Sequence, residues 1–197
     1  MMNHQGLEQR LSELKAKQAK LDEAWKKTGN KQLLEFFVEI IPRTLDAERC
    51  SIFVLDPDAN NIWVMCGTGL KERQVSVPRE NSLVGNVISS GKPRIEADMD
   101  QQVGAHAWID NQTGFVTRSA ACVPVRGVSQ EHTTGAIEVL NKKRFNTFTD
   151  EDRQLLEKLA FQIQSNLESI FLQQQMLKLL AEMTKAITAM EKQLRPS

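Results

Sequence analysis

The chain has few of the residues that announce chemistry on their own. Its three cysteines, Cys50, Cys66 and Cys122, form an odd set without CxxC spacing, and each lies in an apolar, strand-like run. That argues against a disulfide framework or a zinc site and for buried free thiols. The three histidines, His4, His106 and His132, are far apart, and none has another His or Cys three to five residues away, so the sequence gives little sign of a metal site. An excess of either charge is also lacking. With 25 basic residues against 25 acidic ones, no global field draws the protein to nucleic acid or to an anionic membrane. No window approaches the roughly 18 apolar residues of a membrane-spanning helix, and Met1 to Arg10 holds no apolar run of signal-peptide type. The expectation is a cytoplasmic protein with no nucleic-acid and no membrane partner.

What is present fits an ordinary soluble chain of 197 residues, 41% hydrophobic and 25% charged: one domain of usual size plus long helices. Leu7, Leu11, Leu14, Leu21 and Trp25 form a narrow heptad stripe suited to a partner helix, and Thr28-Gly29-Asn30 stops it. A helix from about Lys31 to Leu45 has a wider apolar face and should pack on the domain. From Arg49 the period becomes strand-like. Cys50 to Leu55 and Ile62 to Cys66, joined by the turn-rich Asp56 to Asn61, read as an antiparallel hairpin. Gln74 to Pro78 reads as a third strand, and Asn81 or Ser82 caps a short helix closed by Ser90-Gly91-Lys92-Pro93.

Residues Arg94 to Thr117 form the longest irregular connection, followed by strands Ser119–Arg126 and Thr134–Leu140. Within that connection Asp110, Thr113 and Thr117 stand at offsets 0, +3 and +7, which on a helical turn places a carboxylate and two hydroxyls on one face. They point to a small polar ligand held against the sheet. Arg118 is a candidate to compensate the carboxylates, and Trp108 reads as a half-buried tryptophan or a lid. Thr149 is the expected N-cap of the last helix, with Asp152 its capping-box partner. No Gly or Pro then occurs before Pro196, so one helix of about 45 residues, roughly 65 Å long, is expected. Its later part, Met176, Leu180, Met183, Ile187, Met190 and Leu194, is a heptad seam.

The region from Lys31 to Phe171 resembles a GAF domain, the small-molecule sensor module of cyclic-nucleotide phosphodiesterases, adenylate cyclases and bacterial signalling proteins. The resemblance is carried by Arg49-Cys50-Ser51-Ile52-Phe53-Val54-Leu55-Asp56, by Leu83-Val84-Gly85-Asn86-Val87, by the Asp110 to Arg118 segment, and by Gly135 to Lys142 followed by Phe148-Thr149-Asp150-Glu151-Asp152. It implies an α+β fold, an antiparallel six-stranded sheet with helices packed on it, GAF- or PAS-like, flanked by long N- and C-terminal coiled-coil helices. The implied organisation is an N-terminal dimerisation helix over 1–29, a sensor domain over 30–172 and a C-terminal signalling helix over 173–197.

Carried over position by position, the resemblance implies a ligand site of Ser51, Leu83, Val84, His106, Asp110, Thr113, Thr117 and Glu138, and a structural ion pair between Lys142 and Asp152. In the cyclic-nucleotide-binding branch Asn141, Lys142, Phe148 and Asp152 match a signature whose last residue is Glu, where this chain has Arg153. His106 stands where an aromatic is usual. The implied protein is a non-enzymatic sensor with no cofactor, cyclic AMP or cyclic GMP being the ligand. It is a homodimer through its terminal helices, and its downstream effector belongs to the same full-length chain. The alternatives are a dimerisation module with a degenerate pocket or another ligand, and the branch that reduces free methionine sulfoxide. The strand cysteines disfavour the last.

Overall fold

The computed structural model describes residues 30–193 apart from 57–60, 72–73, 100–104 and 130–131. The N-terminal heptad stripe lies outside the described residues. Residues 32–171 form one compact unit, and residues 172–193 belong to a second. In the first, six strands make an antiparallel sheet in the order β3-β2-β1-β6-β5-β4. They are β1 (Ala47–Leu55), β2 (Asn61–Gly67), β3 (Ser76–Pro78), β4 (Arg94–Glu96), β5 (Ala120–Arg126) and β6 (Thr133–Lys142). Helix α1 (Asn30–Thr44) precedes them, α2 (Leu83–Ser90) and α3 (Ala105–Thr113) interrupt them, and α4 (Asp150–Gln162) and α5 (Gln164–Gln193) follow.

The central strands read as unbroken apolar runs because both faces of the sheet are covered. On one face Ser51 and Phe53 of β1 stand opposite Glu138 and Ala136 of β6. Phe53, Val64, Val77, Cys122 and Ala136 there form a core with Val84, Val87 and Ile88 of α2. On the other face Cys50, Ile52 and Val54 stand opposite Val139, Ile137 and Gly135. Gly135 has to be glycine, since a methyl there would lie 2.1 Å from the Phe53 carbonyl oxygen and 2.6 Å from Leu167 of α5. Helix α4 lies against β5 and β6, held at its start by a capping box between Thr149 and Asp152.

Three features differ from the sequence expectation. The irregular connection from Arg94 contains a short edge strand, β4, and a helix, α3. The long C-terminal helix is two helices, with Ile163 between them in a non-helical conformation (φ −98°, ψ 1°). No glycine or proline marks that break. Ile163 is fully buried, and the next residue, Gln164, turns inward to donate from Nε2 to the Gly127 carbonyl. Trp108 is 55% exposed, more than the half-buried reading expected. In the second unit, residues 172–193 are helical, and Met176, Leu179, Met183 and Met190 are exposed. Among the described residues no helix is long and apolar enough to cross a membrane.

Candidate functional site

A cavity of about 480 Å³ opens on the face of the sheet that carries Ser51 and Glu138. That volume lies within the range of small-molecule sites. Ser51, Phe53, Glu138 and Leu140 contribute from the sheet, Leu83 and Val84 from α2, and His106, Ile109, Asp110 and Thr113 from α3. Phe115 and Thr117 line it from the loop after α3, and Arg94 and Glu96 from β4. All eight residues expected at the ligand site, Ser51, Leu83, Val84, His106, Asp110, Thr113, Thr117 and Glu138, line this one space.

The α2 wall is built by local rules. Ser82, the N-cap, accepts from the Gly85 N–H at 3.0 Å and donates to the Pro78 carbonyl. Gly85 allows the preceding loop to come close, since a Cβ there would lie 2.2 Å from the Arg79 carbonyl oxygen. Leu83 and Val84 occupy the first turn, where N–H groups have no intrahelical acceptor.

Asp110 and Thr117 meet by a route other than the one their spacing suggested. Helix α3 ends at Thr113, and Gly114 takes a left-handed conformation (φ +68°) with its N–H bonded to the Asp110 carbonyl. The chain then folds back, so Asp110 accepts from the Thr117 N–H at 2.7 Å and from its hydroxyl at 2.8 Å. Thr117 therefore lies on a returning loop, not on the helix. Thr113 is satisfied within α3, its hydroxyl donating to the Ile109 carbonyl at 2.9 Å. His106 donates from Nε2 to the Met99 carbonyl at 2.9 Å, which fixes its ring at the cavity edge.

Glu138 is the electrostatic centre of the site. Burial, and then the neighbouring Asp110 charge, push its pKa up from 4.5 to about 7. The compensation expected from Arg118 is absent, because its guanidinium pairs with Glu48. The cavity instead contains Arg94, paired with Glu96 at 3.2 Å, and Arg49, whose guanidinium carbon lies 3.9 Å from the centre of the Phe115 ring. Arg49, Arg94 and Phe115 were missed by sequence reasoning. The signal for Arg49 was its place two residues before Ser51, on the same face of β1.

The Asn141-Lys142 pair ends β6 and lies outside the cavity lining. Asn141, fully buried with φ +58°, accepts on Oδ1 from the Arg118 and Ser119 N–H groups and donates from Nδ2 to Glu48 and the Val116 carbonyl. It thereby ties the returning loop to β6. Lys142 donates to Asp152 at 2.8 Å and to the Leu45 carbonyl at 2.7 Å. Arg153 reaches neither, pairing with Asp150 and Glu157 along α4. Cys50, Cys66 and Cys122 are all buried, and none forms a disulfide. Burial raises the thiol pKa of Cys50 and Cys122, the opposite of what a nucleophile needs. Among the described residues no cluster of His, Cys, Asp and Glu is placed to hold a metal ion.

An antiparallel six-stranded sheet with a helix-covered cavity on one face is the architecture of a small-molecule sensor module. Residues 30–169 match the GAF domain family, and the chain belongs to it. The dual 3′,5′-cyclic-AMP and -GMP phosphodiesterase 11A of Takifugu rubripes is 27% identical over 125 residues, 57% of this chain and 14% of that protein. The chain thus aligns with only about a seventh of that relative's length. Among solved structures, the GAF domain of a phosphoenolpyruvate-protein phosphotransferase from Coxiella burnetii superposes with a TM-score of 0.62 at 17% identity, covering 85% of this chain and 96% of that one. The type II free methionine-R-sulfoxide reductase of Thermoplasma acidophilum gives 0.57 at 16% identity, covering 71% and 93%. The structural likenesses establish the shared fold, and the match over residues 30–169 establishes the sensory, regulatory family.

Proposed function

We propose that residues 30–172 are a ligand-sensing regulatory module that binds a cyclic nucleotide, cyclic AMP or cyclic GMP, and relays its occupancy through the C-terminal helix of a dimer. The observation that carries this reading is the convergence of eight residues from β1, α2, α3, the following loop and β6 on one cavity of about 480 Å³. Phe53, Leu83, Val84 and Ile109 give apolar walls for a purine, and Ser51 and Glu138 are polar partners for its edge. First-turn N–H groups of α2 are donors for ribose or phosphate oxygens. A cyclic phosphodiester bears a single negative charge, so a chain of zero net charge is no obstacle.

Relay requires that the ligand favour one helix arrangement over another. Strand β6 is the structural link in this reading, with Glu138 at the cavity and Gly135 against Leu167 of α5. Titration calorimetry with each nucleotide tests it: saturable heat with one or both is expected. No heat and no thermal shift at millimolar nucleotide would remove cyclic nucleotides as the ligand. A GAF dimerisation module with a degenerate pocket is the second reading. It is favoured by Asp110 and Thr113, whose hydrogen bonds are already satisfied inside the protein.

A further inference from the structure

Among the described residues, one cation at the cavity is left without an anion. Arg94 is paired with Glu96, Arg118 with Glu48 and Lys142 with Asp152. Among the described residues, the half-buried Arg49 has neither a carboxylate within ion-pair range nor a hydrogen-bond acceptor; its guanidinium carbon lies over the Phe115 ring, 3.9 Å from the ring centre. A cation–π contact needs none of the five N–H donors of a guanidinium as hydrogen bonds, so they stay available to an acceptor.

The stacked position is held from several sides. Phe115 follows the left-handed Gly114, and two residues on Thr117 is bonded twice to Asp110. Arg118 and Ser119 are then anchored to Asn141. On the sheet, Arg49 stands opposite Leu140, which puts Glu138 at the diagonal position of the neighbouring strand. Diagonal partners lie about 7–8 Å apart, and both side chains reach the same cavity. Glu138 also has no hydrogen-bond or ion-pair partner among the described residues. A guanidinium and a carboxyl group without protein partners, both facing one cavity, leave donors and an acceptor that a third molecule can join.

We infer that Arg49, braced on Phe115, holds the phosphate of a small ligand whose hydrogen-bond donor edge is turned to Glu138. This rests on the ligand-binding reading above and adds the residue that selects for negative charge. Planar, bidentate contact with phosphate is what a guanidinium does better than an ammonium or a helix end alone. Arg49 is thus a specificity-determining residue, and Phe115 positions it.

The test uses the full 197-residue chain, wild type and Arg49→Gln, with three probes at matched ionic strength: cyclic GMP, guanosine and inorganic phosphate. Arg49→Gln should weaken cyclic GMP about tenfold or more, abolish the thermal stabilisation given by phosphate, and leave guanosine affinity unchanged. Arg49→Lys, which keeps the charge and loses the fork, should fall between. Equal cyclic GMP affinity in wild type and Arg49→Gln overturns the inference and leaves the cyclic-nucleotide reading intact. If cyclic GMP is silent on the wild type but phosphate stabilises it and not Arg49→Gln, the inference stands and the cyclic-nucleotide reading falls. Silence of both probes on the wild type overturns both. Phe115→Leu decides the matter if Arg49→Gln does not fold: it should weaken cyclic GMP severalfold without touching guanosine, and unchanged cyclic GMP binding counts against the inference.

Discussion

Glu138→Gln should make the protein more stable at neutral and alkaline pH and less dependent on pH. In the fold this carboxyl has a pKa of about 7, against 4.5 for an ordinary glutamate. Between those values the unfolded chain has released the proton and the folded one retains it, so stability falls as pH rises, by about 1.4 kcal/mol per pH unit. The penalty is absent below pH 4.5 and complete above pH 7, where it amounts to about 3 kcal/mol. Glutamine keeps the size and removes the charge. Urea denaturation at half-unit steps from pH 4.5 to 8.5 measures it through the difference between wild type and variant. That difference should open in favour of the variant across the window and flatten above pH 7. Parallel curves for the two proteins, or a variant less stable at pH 8, would refute the assignment of Glu138 as a partly buried, uncompensated carboxyl. Bound ligand should shrink the difference by supplying donors to the charged form.

Other substitutions separate architecture from recognition. Asn141→Ala loses four hydrogen bonds and places an ordinary side chain at φ +58°, and denaturation should show a loss of about 3 kcal/mol or more. Lys142→Met strips Asp152 and the Leu45 carbonyl of a buried partner; it should cost about 3 kcal/mol in the same assay while leaving nucleotide affinity unchanged. Arg153→Glu removes only pairs along α4. It should change stability little and not alter calorimetric affinity; a gain in affinity would show that this position acts on the site.

How much was legible in the sequence depended on how far each contact reaches along the chain. The runs Cys50 to Leu55 and Ser119 to Arg126 declared their strands because both faces of the sheet are buried, so apolar residues continue without alternation. Edge strand β4 has one apolar residue, Ile95, in three and offers no period to read. Helix α3, AHAWIDNQT, mixes polar and apolar positions with little amphipathic order. The meeting of Asp110 and Thr117 was anticipated for a geometry the protein does not use, since the turn at Gly114 brings them together. The break at Ile163 carries no Gly or Pro because burial of Ile163 and the inward hydrogen bond of Gln164 make it. The stacking of Arg49 on Phe115 joins distant segments, and no local pattern encodes it.

The central claim is that the cavity between the sheet, α2 and α3 receives a small ligand. A crystal structure of the chain grown with saturating cyclic GMP tests it most directly. Nucleotide density is expected inside the cavity, with the base edge within hydrogen-bond distance of Glu138 and the phosphate at Arg49. Nucleotide bound elsewhere on the protein, with that cavity empty, would contradict it.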